Sequence, residues 1–272
     1  MLALTVAGYC VTAVGSHLVP TNERNDGAWG FVLGVDYPQF YAGARMVAEG
    51  RSAEVYDVGA FRAELLEGLH RERTKLLPLY PPPILVAFAP LGVLPYRASV
   101  AVYAALAATL LWAGAQLHRR IAPVASAADA RTAGLAYFAL WPVAATLLVG
   151  HPSPVLGLIA PGAALALRAG RPLAAGVLLG LLAYKPQLCA AAGLALLGAG
   201  RWRLLAGFAL GAGALCAATL PVVGWEAWQG LLDQAMQFCQ RADRLMRYPG
   251  RMYNLRAALA LPFPVEMWPM LR

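Results

Sequence analysis

Asp36 is the residue of this chain whose type and position could most directly do chemistry. It lies in the polar segment 34–41, just after a first apolar run. A carboxylate at the end of a membrane helix can meet substrates from water and from lipid, and it can accept the proton of an attacking hydroxyl. Desolvation by the aromatic residues that follow it would strengthen this base. The simpler explanation of the spacing is a helix N-cap, with Gln39 completing a capping box, and one aspartate could do both.

Positive charge at two places in the chain could bind an anion. Lys185 lies within an apolar run, a costly position unless it serves a function or snorkels to the interface, and the sequence leaves both open. Arginines also recur about every three residues in the late segment, a spacing that suits anionic head groups or a solvated charged face. These are Arg241, Arg244, Arg247, Arg251 and Arg256.

Three further side chains could contact a polar ligand. His151 lies in a tight turn between two apolar runs, where a lone histidine is more often structural. Tyr80 suits an aromatic belt as well as a platform for a ligand ring. Asn254 could bind a ligand hydroxyl or only mark a turn. Asp57 is explained more simply as the cap of a second helix.

The sequence contains no motif for a metal or a nucleotide. It has no Asp-x-Asp, no GxxxxGK[ST] loop and no H-E-x-x-H, and its four cysteines form no CxxC pair. We therefore expect neither metal nor cofactor, and no soluble nucleotide-dependent transfer, ATP hydrolysis or zinc proteolysis. The net charge of +8 is not gathered into one basic domain, so nucleic acid is not an expected partner.

Composition predicts that these residues are positioned by membrane helices. The chain of 272 residues is 60% hydrophobic and 13% charged, with a mean hydropathy of +0.56. A soluble domain carries about 25% charged residues. A bilayer core requires about 20 apolar residues per helix, and lipid offers backbone N–H and C=O groups no hydrogen-bond partner. We therefore predict an all-α, polytopic transmembrane bundle. The candidate spans are 2–19, 98–117, 132–149, 154–167, 173–197 and 204–223.

The positions of the basic residues predict the topology. Short basic links are retained on the cytoplasmic side, and three links carry paired or clustered arginines. The turn at His151, the stretch 20–82 and the segment from Gly224 onward then face outward. The span 173–197 is interrupted around Lys185, and the basic links on both flanks favour two short helices over one kinked helix. We treat residues 1–272 as one membrane domain.

The outer stretch 20–82 has its own predicted structure. Apolar residues at helical spacing predict amphipathic helices along the membrane interface over 38–49 and 58–69, the first ended by Gly50. The prolines after Tyr80 fix φ and bias each preceding residue away from helix, so residues 80–83 are predicted to be extended where the chain re-enters the bilayer.

Several short motifs together resemble glycosyltransferase family 87. In chain order they are Asp36 with Tyr41 and Ala42, Val55-Tyr56-Asp57, Tyr80-Pro81-Pro82, Gly150-His151-Pro152-Ser153, Gly176 through Lys185-Pro186, and Asn254-Leu255. The family usually has glutamine where His151 stands, and its members continue through further helices beyond the position of Arg272. The resemblance therefore implies that this chain is truncated at its C-terminus.

The resemblance also implies a fold, a reaction and a location. The expected fold is the C-type glycosyltransferase fold, and the expected donor is a polyprenyl-phosphate hexose such as mannose. Asp36 matches the catalytic base, and the expected acceptor is a lipid or glycan at the outer face of a bacterial inner membrane. Tyr41 joins Tyr80, His151, Lys185, Arg247, Arg251, Asn254 and Arg256 as a candidate for substrate or donor binding. A transporter and a non-catalytic lipid or sugar binder are the rival hypotheses.

Overall fold

The computed structural model describes residues 36–69, 77–121, 143, 146, 147 and 149–245. This part of the chain is helical and contains no strand, which confirms the all-α prediction. The helices are α1 (Tyr37–Ala48), α2 (Val58–Leu69), α3 (Pro82–Gly92), α4 (Tyr96–Ile121), α5 (Leu156–Arg168), α6 (Pro172–Gly180), α7 (Pro186–Gly198), α8 (Trp202–Ala217) and α9 (Leu220–Leu245). Short 3-10 helices occupy Ser52–Glu54, Ser153–Val155 and Leu181–Tyr184.

Among the described helices, only α4 is long and apolar enough by itself to cross a membrane. The pair formed by α8 and the first part of α9 passes the same test together, but the two halves are bent by 97°. Helices α3 and α5–α7 are apolar and shorter. The predicted span 98–117 therefore corresponds to α4, whereas the polytopic bundle stays a prediction. The predicted spans 2–19 and most of 132–149 lie outside the described residues.

Glycines determine how closely α6 and α8 pack. A Cβ atom on Gly176 of α6 would overlap the carbonyl oxygen of Leu204 on α8, and one on Gly207 of α8 would overlap the carbonyl oxygen of Leu173 on α6. Small residues at such a crossing let two backbones approach, as in membrane helix pairs. This pair forms the most extensive helix contact in the described structure.

The predicted span 173–197 is two elements. Helix α6 continues into the 3-10 helix Leu181–Tyr184, and α7 begins at Pro186. Lys185 lies between them in an extended conformation, with φ −128° and ψ 91°. Pro186 forces this break because the residue before a proline is biased away from helix. The preference for two short helices is confirmed.

Helices α1 and α2 have nearly the predicted bounds, but the buried part of α1 is wider than one apolar face. Tyr37, Phe40, Ala44 and Met46 are fully buried, and these positions cover several sides of the helix. Helix α1 packs mainly on α3 and also contacts α2 and α4. The apolar positions of α1 are therefore covered by protein, and its placement along a membrane interface stays a prediction.

The segment 80–83 differs from its prediction. Pro81 is extended, with φ −70° and ψ 157°, but α3 already begins at Pro82. Proline is tolerated in the first turn of a helix because its missing N–H would have had no intrahelical partner there. Only the first half of the segment is extended.

Contacts between the described helices identify two opposite ends of the structure. At one end the Arg168 side chain donates a 2.7 Å hydrogen bond to the carbonyl oxygen of Ile121, which joins the last turns of α5 and α4. At the other end the start of α1, the turn before α5 and the break before α7 come together. The predicted cytoplasmic residues Arg119, Arg120, Arg168 and Arg171 therefore lie at the end of the described structure opposite to Asp36.

Candidate active site

Four segments far apart in sequence meet at the end of the molecule that holds Asp36. The Asp36 N–H donates a 2.9 Å hydrogen bond to the carbonyl oxygen of Val149. The Tyr80 hydroxyl lies 2.7 Å from His151 Nε2, and the Lys185 ammonium donates a 3.2 Å hydrogen bond to Ser153 Oγ. The structure thus brings together four of the residues that the sequence singled out.

The Asp36 carboxylate is not used as a helix cap. Asp36 occupies the N-cap position of α1, and its carbonyl oxygen accepts a 3.3 Å hydrogen bond from the Gln39 N–H, but its side chain makes no capping hydrogen bond. The capping-box explanation therefore fails, because the side chain does not bond the helix terminus. Asp57, in contrast, caps α2 through a 2.7 Å hydrogen bond from the Ala60 N–H to Oδ1.

Asp36 is partly buried, and this burial raises the pKa of its carboxyl. Desolvation does so because the charged form loses hydration in surroundings of lower dielectric. Burial, together with the charge of Asp36, also raises the pKa of Tyr80 to about 12. Asp36 is thus close enough to Tyr80 to act on it electrostatically, and it keeps partial access to solvent.

Aromatic residues hold Tyr80 and His151 in place. The Phe40 ring packs edge-on against Tyr80 at 4.5 Å and against His151 at 5.9 Å, measured between ring centroids. The Tyr56 hydroxyl donates a 2.7 Å hydrogen bond to the carbonyl oxygen of Tyr80, and the Tyr103 hydroxyl donates to that of His151. Backbone and side chain are therefore both fixed at the two positions.

His151 is neutral at physiological pH. Burial first, and the positive charge of Lys185 second, lower its pKa to about 4. Both ring nitrogens have partners, because Nδ1 lies 2.8 Å from Ser153 Oγ and Nε2 faces Tyr80. A neutral imidazole carries one ring hydrogen, so one nitrogen donates and the other accepts.

Lys185 has no carboxylate partner among the described residues. Its only hydrogen bond there is the one to Ser153, and burial lowers its pKa. Two of its three N–H donors therefore have no partner in the described structure. A half-buried ammonium with unused donors is suited to an anionic ligand.

Tyr184 carries an unsatisfied buried hydroxyl. Its side chain is 4% exposed, and its Oη has no hydrogen-bond partner in the described part of the chain. Leaving such a group unpaired costs roughly 1–3 kcal/mol. The phenol ring belongs to the core cluster that includes Phe40, and its hydroxyl interacts electrostatically with Tyr80. This hydroxyl is a second polar group without a partner in the described structure.

The remaining predicted site residues lie elsewhere. The Tyr41 hydroxyl donates a 2.8 Å hydrogen bond to the carbonyl oxygen of Leu94, and its ring packs against Tyr96 and Tyr37, away from Tyr80 and His151. It lines an open cavity of about 310 Å³ with Arg45 and Glu49. Within the described ranges, no cluster of three or more His, Cys, Asp or Glu could hold a metal. Four predicted residues lie outside the described residues: Arg247, Arg251, Asn254 and Arg256.

Sequence reasoning gave no role to Ser153 or Tyr184, which the structure adds to the cluster. Ser153 belongs to the Gly150-His151-Pro152-Ser153 motif, and Tyr184 directly precedes Lys185. Their positions beside the recognised residues were the available signal. Serine and tyrosine are too common for their type alone to mark a site.

Comparison with known proteins gives one match. No curated protein matches the chain, and no solved structure matches it either. The model of glycosyltransferase family 87 matches residues 79–269, more than half of the chain. The matched region contains Tyr80, His151 and Lys185, and it begins after Asp36. The chain therefore belongs to glycosyltransferase family 87, a membership that implies a glycosyltransferase.

Proposed function

We propose that this chain transfers a hexose such as mannose from a polyprenyl-phosphate donor to a lipid or glycan acceptor, with Asp36 as the general base. The reaction takes place at the outer face of a bacterial inner membrane, which the protein crosses several times. It uses the lipid-linked sugar as co-substrate and requires neither metal nor cofactor.

The convergence of a carboxylate and an ammonium that have no ion-pair partner in the described structure carries this proposal. Transfer of a glycosyl group needs a base for the acceptor hydroxyl and positive charge for the departing phosphate. Asp36 and Lys185 are 149 positions apart in sequence, yet both adjoin the unit formed by Tyr80, His151 and Ser153. In the described structure neither charge is neutralised by the other or by any third group.

The chemical step is a direct displacement. The acceptor oxygen attacks the anomeric carbon while its proton passes to Asp36, and the bond between that carbon and the phosphate oxygen breaks. The electron pair leaves with polyprenyl phosphate, so the configuration at the anomeric carbon is inverted. Raising the pKa of Asp36 by burial makes it a stronger base, provided that the pH stays above that pKa.

Lys185 serves the leaving group. Its two remaining N–H donors offer hydrogen bonds to phosphate oxygens, and a charge-assisted bond is stronger than a neutral one. Arg247, Arg251 and Arg256, with Asn254, supply further contacts to the donor from the late outer segment. Membrane lipids surround the apolar helices.

The proposal is tested by sugar transfer in proteoliposomes. Purified protein is supplied with radiolabelled polyprenyl-phosphate mannose and a bacterial lipid extract as acceptor, and both labelled product and released polyprenyl phosphate are measured. We expect Asp36→Asn to abolish transfer while binding of the donor persists, because the amide keeps the size of the carboxyl and cannot accept the proton.

Asp57→Asn is the matched control. It removes one carboxylate from the same outer region, and asparagine caps a helix about as well as aspartate does. Transfer should survive this change. Retained transfer in Asp36→Asn would refute the base assignment. Uptake of labelled free mannose without transfer would instead support a transporter, and donor binding with neither activity would support a non-catalytic lipid or sugar binder.

A further inference from the structure

Four side chains form a continuous hydrogen-bond chain, and the proposed reaction assigns a role only to Lys185 among them. Lys185 Nζ lies 3.2 Å from Ser153 Oγ, Ser153 Oγ lies 2.8 Å from His151 Nδ1, and His151 Nε2 lies 2.7 Å from Tyr80 Oη. The residues come from three separate segments, so the chain is built by the fold. It runs from the Lys185 ammonium to Tyr80, on which Asp36 acts electrostatically.

The donor at one end determines the direction of the whole chain. An ammonium can only donate, so Ser153 Oγ accepts from Lys185. If His151 Nδ1 also donated to Ser153, the serine hydrogen would have no acceptor among the described residues. When the serine donates to Nδ1 instead, the serine hydrogen and the His151 ring hydrogen both have acceptors in the described structure. Because His151 is neutral, its single ring hydrogen then lies on Nε2 and is donated to Tyr80 Oη.

Tyr80 stands at the other end with its own hydrogen unused. Its oxygen accepts from His151, so its O–H must point elsewhere. The carboxylate that acts electrostatically on Tyr80 is Asp36, yet no direct hydrogen bond joins the two side chains in the described structure. A substrate hydroxyl bound at Asp36 could accept the Tyr80 hydrogen while it donates its own hydrogen to Asp36.

We propose that Tyr80 donates a hydrogen bond to the acceptor hydroxyl that Asp36 deprotonates, and that Ser153, His151 and Lys185 are positioning residues that direct the Tyr80 hydrogen. The inference rests on the proposed function and adds the acceptor contact to it. The Tyr80 proton is not transferred. It holds the attacking oxygen in one orientation, while the proton of that oxygen moves to Asp36 and the oxygen bonds to the sugar. The two other donors of Lys185 remain available to the phosphate.

The direction of the chain can be measured without any substrate. The protein has four histidines, and ¹⁵N–¹H correlation spectra of histidine-labelled protein distinguish their tautomers. The signal that disappears in His151→Gln identifies His151. We expect a neutral ring with hydrogen on Nε2 and none on Nδ1 at pH 7. Hydrogen on Nδ1, or a doubly protonated ring, would overturn the inference whether or not the protein transfers sugar.

Kinetics with the lipid extract test the role of Tyr80. Tyr80→Phe should raise the acceptor KM about tenfold, the effect expected for losing one well-placed hydrogen bond. His151→Phe should have a similar effect. His151→Gln should restore most of the affinity, because its amide N–H₂ can replace the Nε2 donor. The double variant Tyr80→Phe/His151→Phe should be no worse than Tyr80→Phe, since His151 acts through Tyr80.

The outcomes separate this inference from the proposed function. If the two Phe variants multiply to about a hundredfold loss, His151 and Tyr80 act independently and the chain has no positioning role. If Tyr80→Phe leaves the acceptor KM unchanged, Tyr80 does not contact the acceptor. If the wild-type protein transfers no sugar while His151 shows the expected tautomer, the hydrogen-bond chain stands and the proposed function fails.

Discussion

At the scale of single residues, Asp36 is a charge that the fold holds at a cost. Its burial raises the carboxyl pKa, and no described group compensates the lost hydration. A raised pKa means that the folded state binds the proton more tightly than the unfolded state does, so the ionised carboxylate lowers stability. Functional groups are often held at such a cost, because the reaction needs a base that is not already neutralised by a partner.

This cost predicts that Asp36→Asn is more thermostable than the wild type at pH 7.5. The gain should shrink as the pH falls toward the raised native pKa of Asp36, because the wild-type carboxyl then takes up its proton. Groups common to both proteins cancel in the difference. Thermal unfolding of both proteins in detergent at several pH values measures the difference in stability. A lower Tm for the variant at pH 7.5 would show that the carboxylate has a stabilising partner.

The sequence identified most of the clustered residues but not their proximity. Ordinary structural roles explained only in part the sequence positions of Asp36, Tyr80, His151 and Lys185. Lys185, for example, lies in an apolar run. The hydrogen bonds of His151 join residues that are 71 positions apart, and no local pattern encodes such a contact. The unsatisfied hydroxyl of Tyr184 is likewise a property of packing. It has no signature in the sequence.

At the scale of the helices, a buried carboxylate links α1, the turn after it and α2. Glu64 is 3% exposed, and its two oxygens lie 3.2 Å from Arg45 Nε and 2.7 Å from Arg51 Nη1. These ion pairs hold α2 against the end of α1. Because α1 begins at Asp36, the cluster contributes to placing the proposed base.

Glu64→Ala should therefore destabilise the protein by roughly 2 kcal/mol. Removing one partner of a buried ion pair leaves an uncompensated charge, and the effect is reduced here because both arginines are partly exposed and keep other partners. Glu67→Ala is the control, since the Glu67 side chain is 73% exposed and reaches Arg45 only at 3.7 Å. The Tm of each variant in detergent is the measurement, and we expect a larger decrease for Glu64→Ala than for Glu67→Ala. Equal, small changes in both variants would mean that Glu64 does not join the helices.

The contact between α6 and α8 leads to a second prediction at the scale of the helices. Gly207→Ala should destabilise the protein by about 1–3 kcal/mol, because the new methyl group would overlap the Leu173 carbonyl and force the helices apart. Gly213→Ala on the same helix meets nothing within 4 Å and should be neutral or slightly stabilising. Thermal unfolding of both variants is the measurement. If Gly207→Ala unfolds at the wild-type temperature, the close approach of α6 and α8 is wrong.

Helix bounds were predictable from local signals, whereas helix environments were not. Asp57 and Gly50 marked the ends of α2 and α1 by the same chemistry that operates in the structure, since Asp57 caps α2 and Gly50 adopts a φ of 76°. The amphipathic spacing of α1 could not show whether its apolar face met lipid or protein. That choice depends on α3, which packs onto α1 from another part of the chain.

At the scale of the whole molecule, the pattern of arginines and the packing agree on two ends. The basic link that follows α5 contacts the last turn of α4, and the proposed site lies at the opposite end. The sequence predicted a short span at 154–167 and two short helices over 173–197. In the described structure α5–α7 are likewise shorter than the roughly 20 residues that a bilayer requires.

The two ends predict which residues an impermeant reagent can reach. Arg171 is exposed in the link between α5 and α6, and Gln229 is exposed on α9. Gln234, which also lies on α9, donates a 2.9 Å hydrogen bond to the carbonyl oxygen of Tyr56. In a background without the four native cysteines, a membrane-impermeant maleimide should label Gln229→Cys in intact cells. It should label Arg171→Cys only after the membrane is opened, because basic links stay inside. The reverse pattern would place Asp36 in the cytoplasm and exclude transfer at the outer face. Labelling of both positions in intact cells would mean that the two ends do not lie on opposite sides of a membrane.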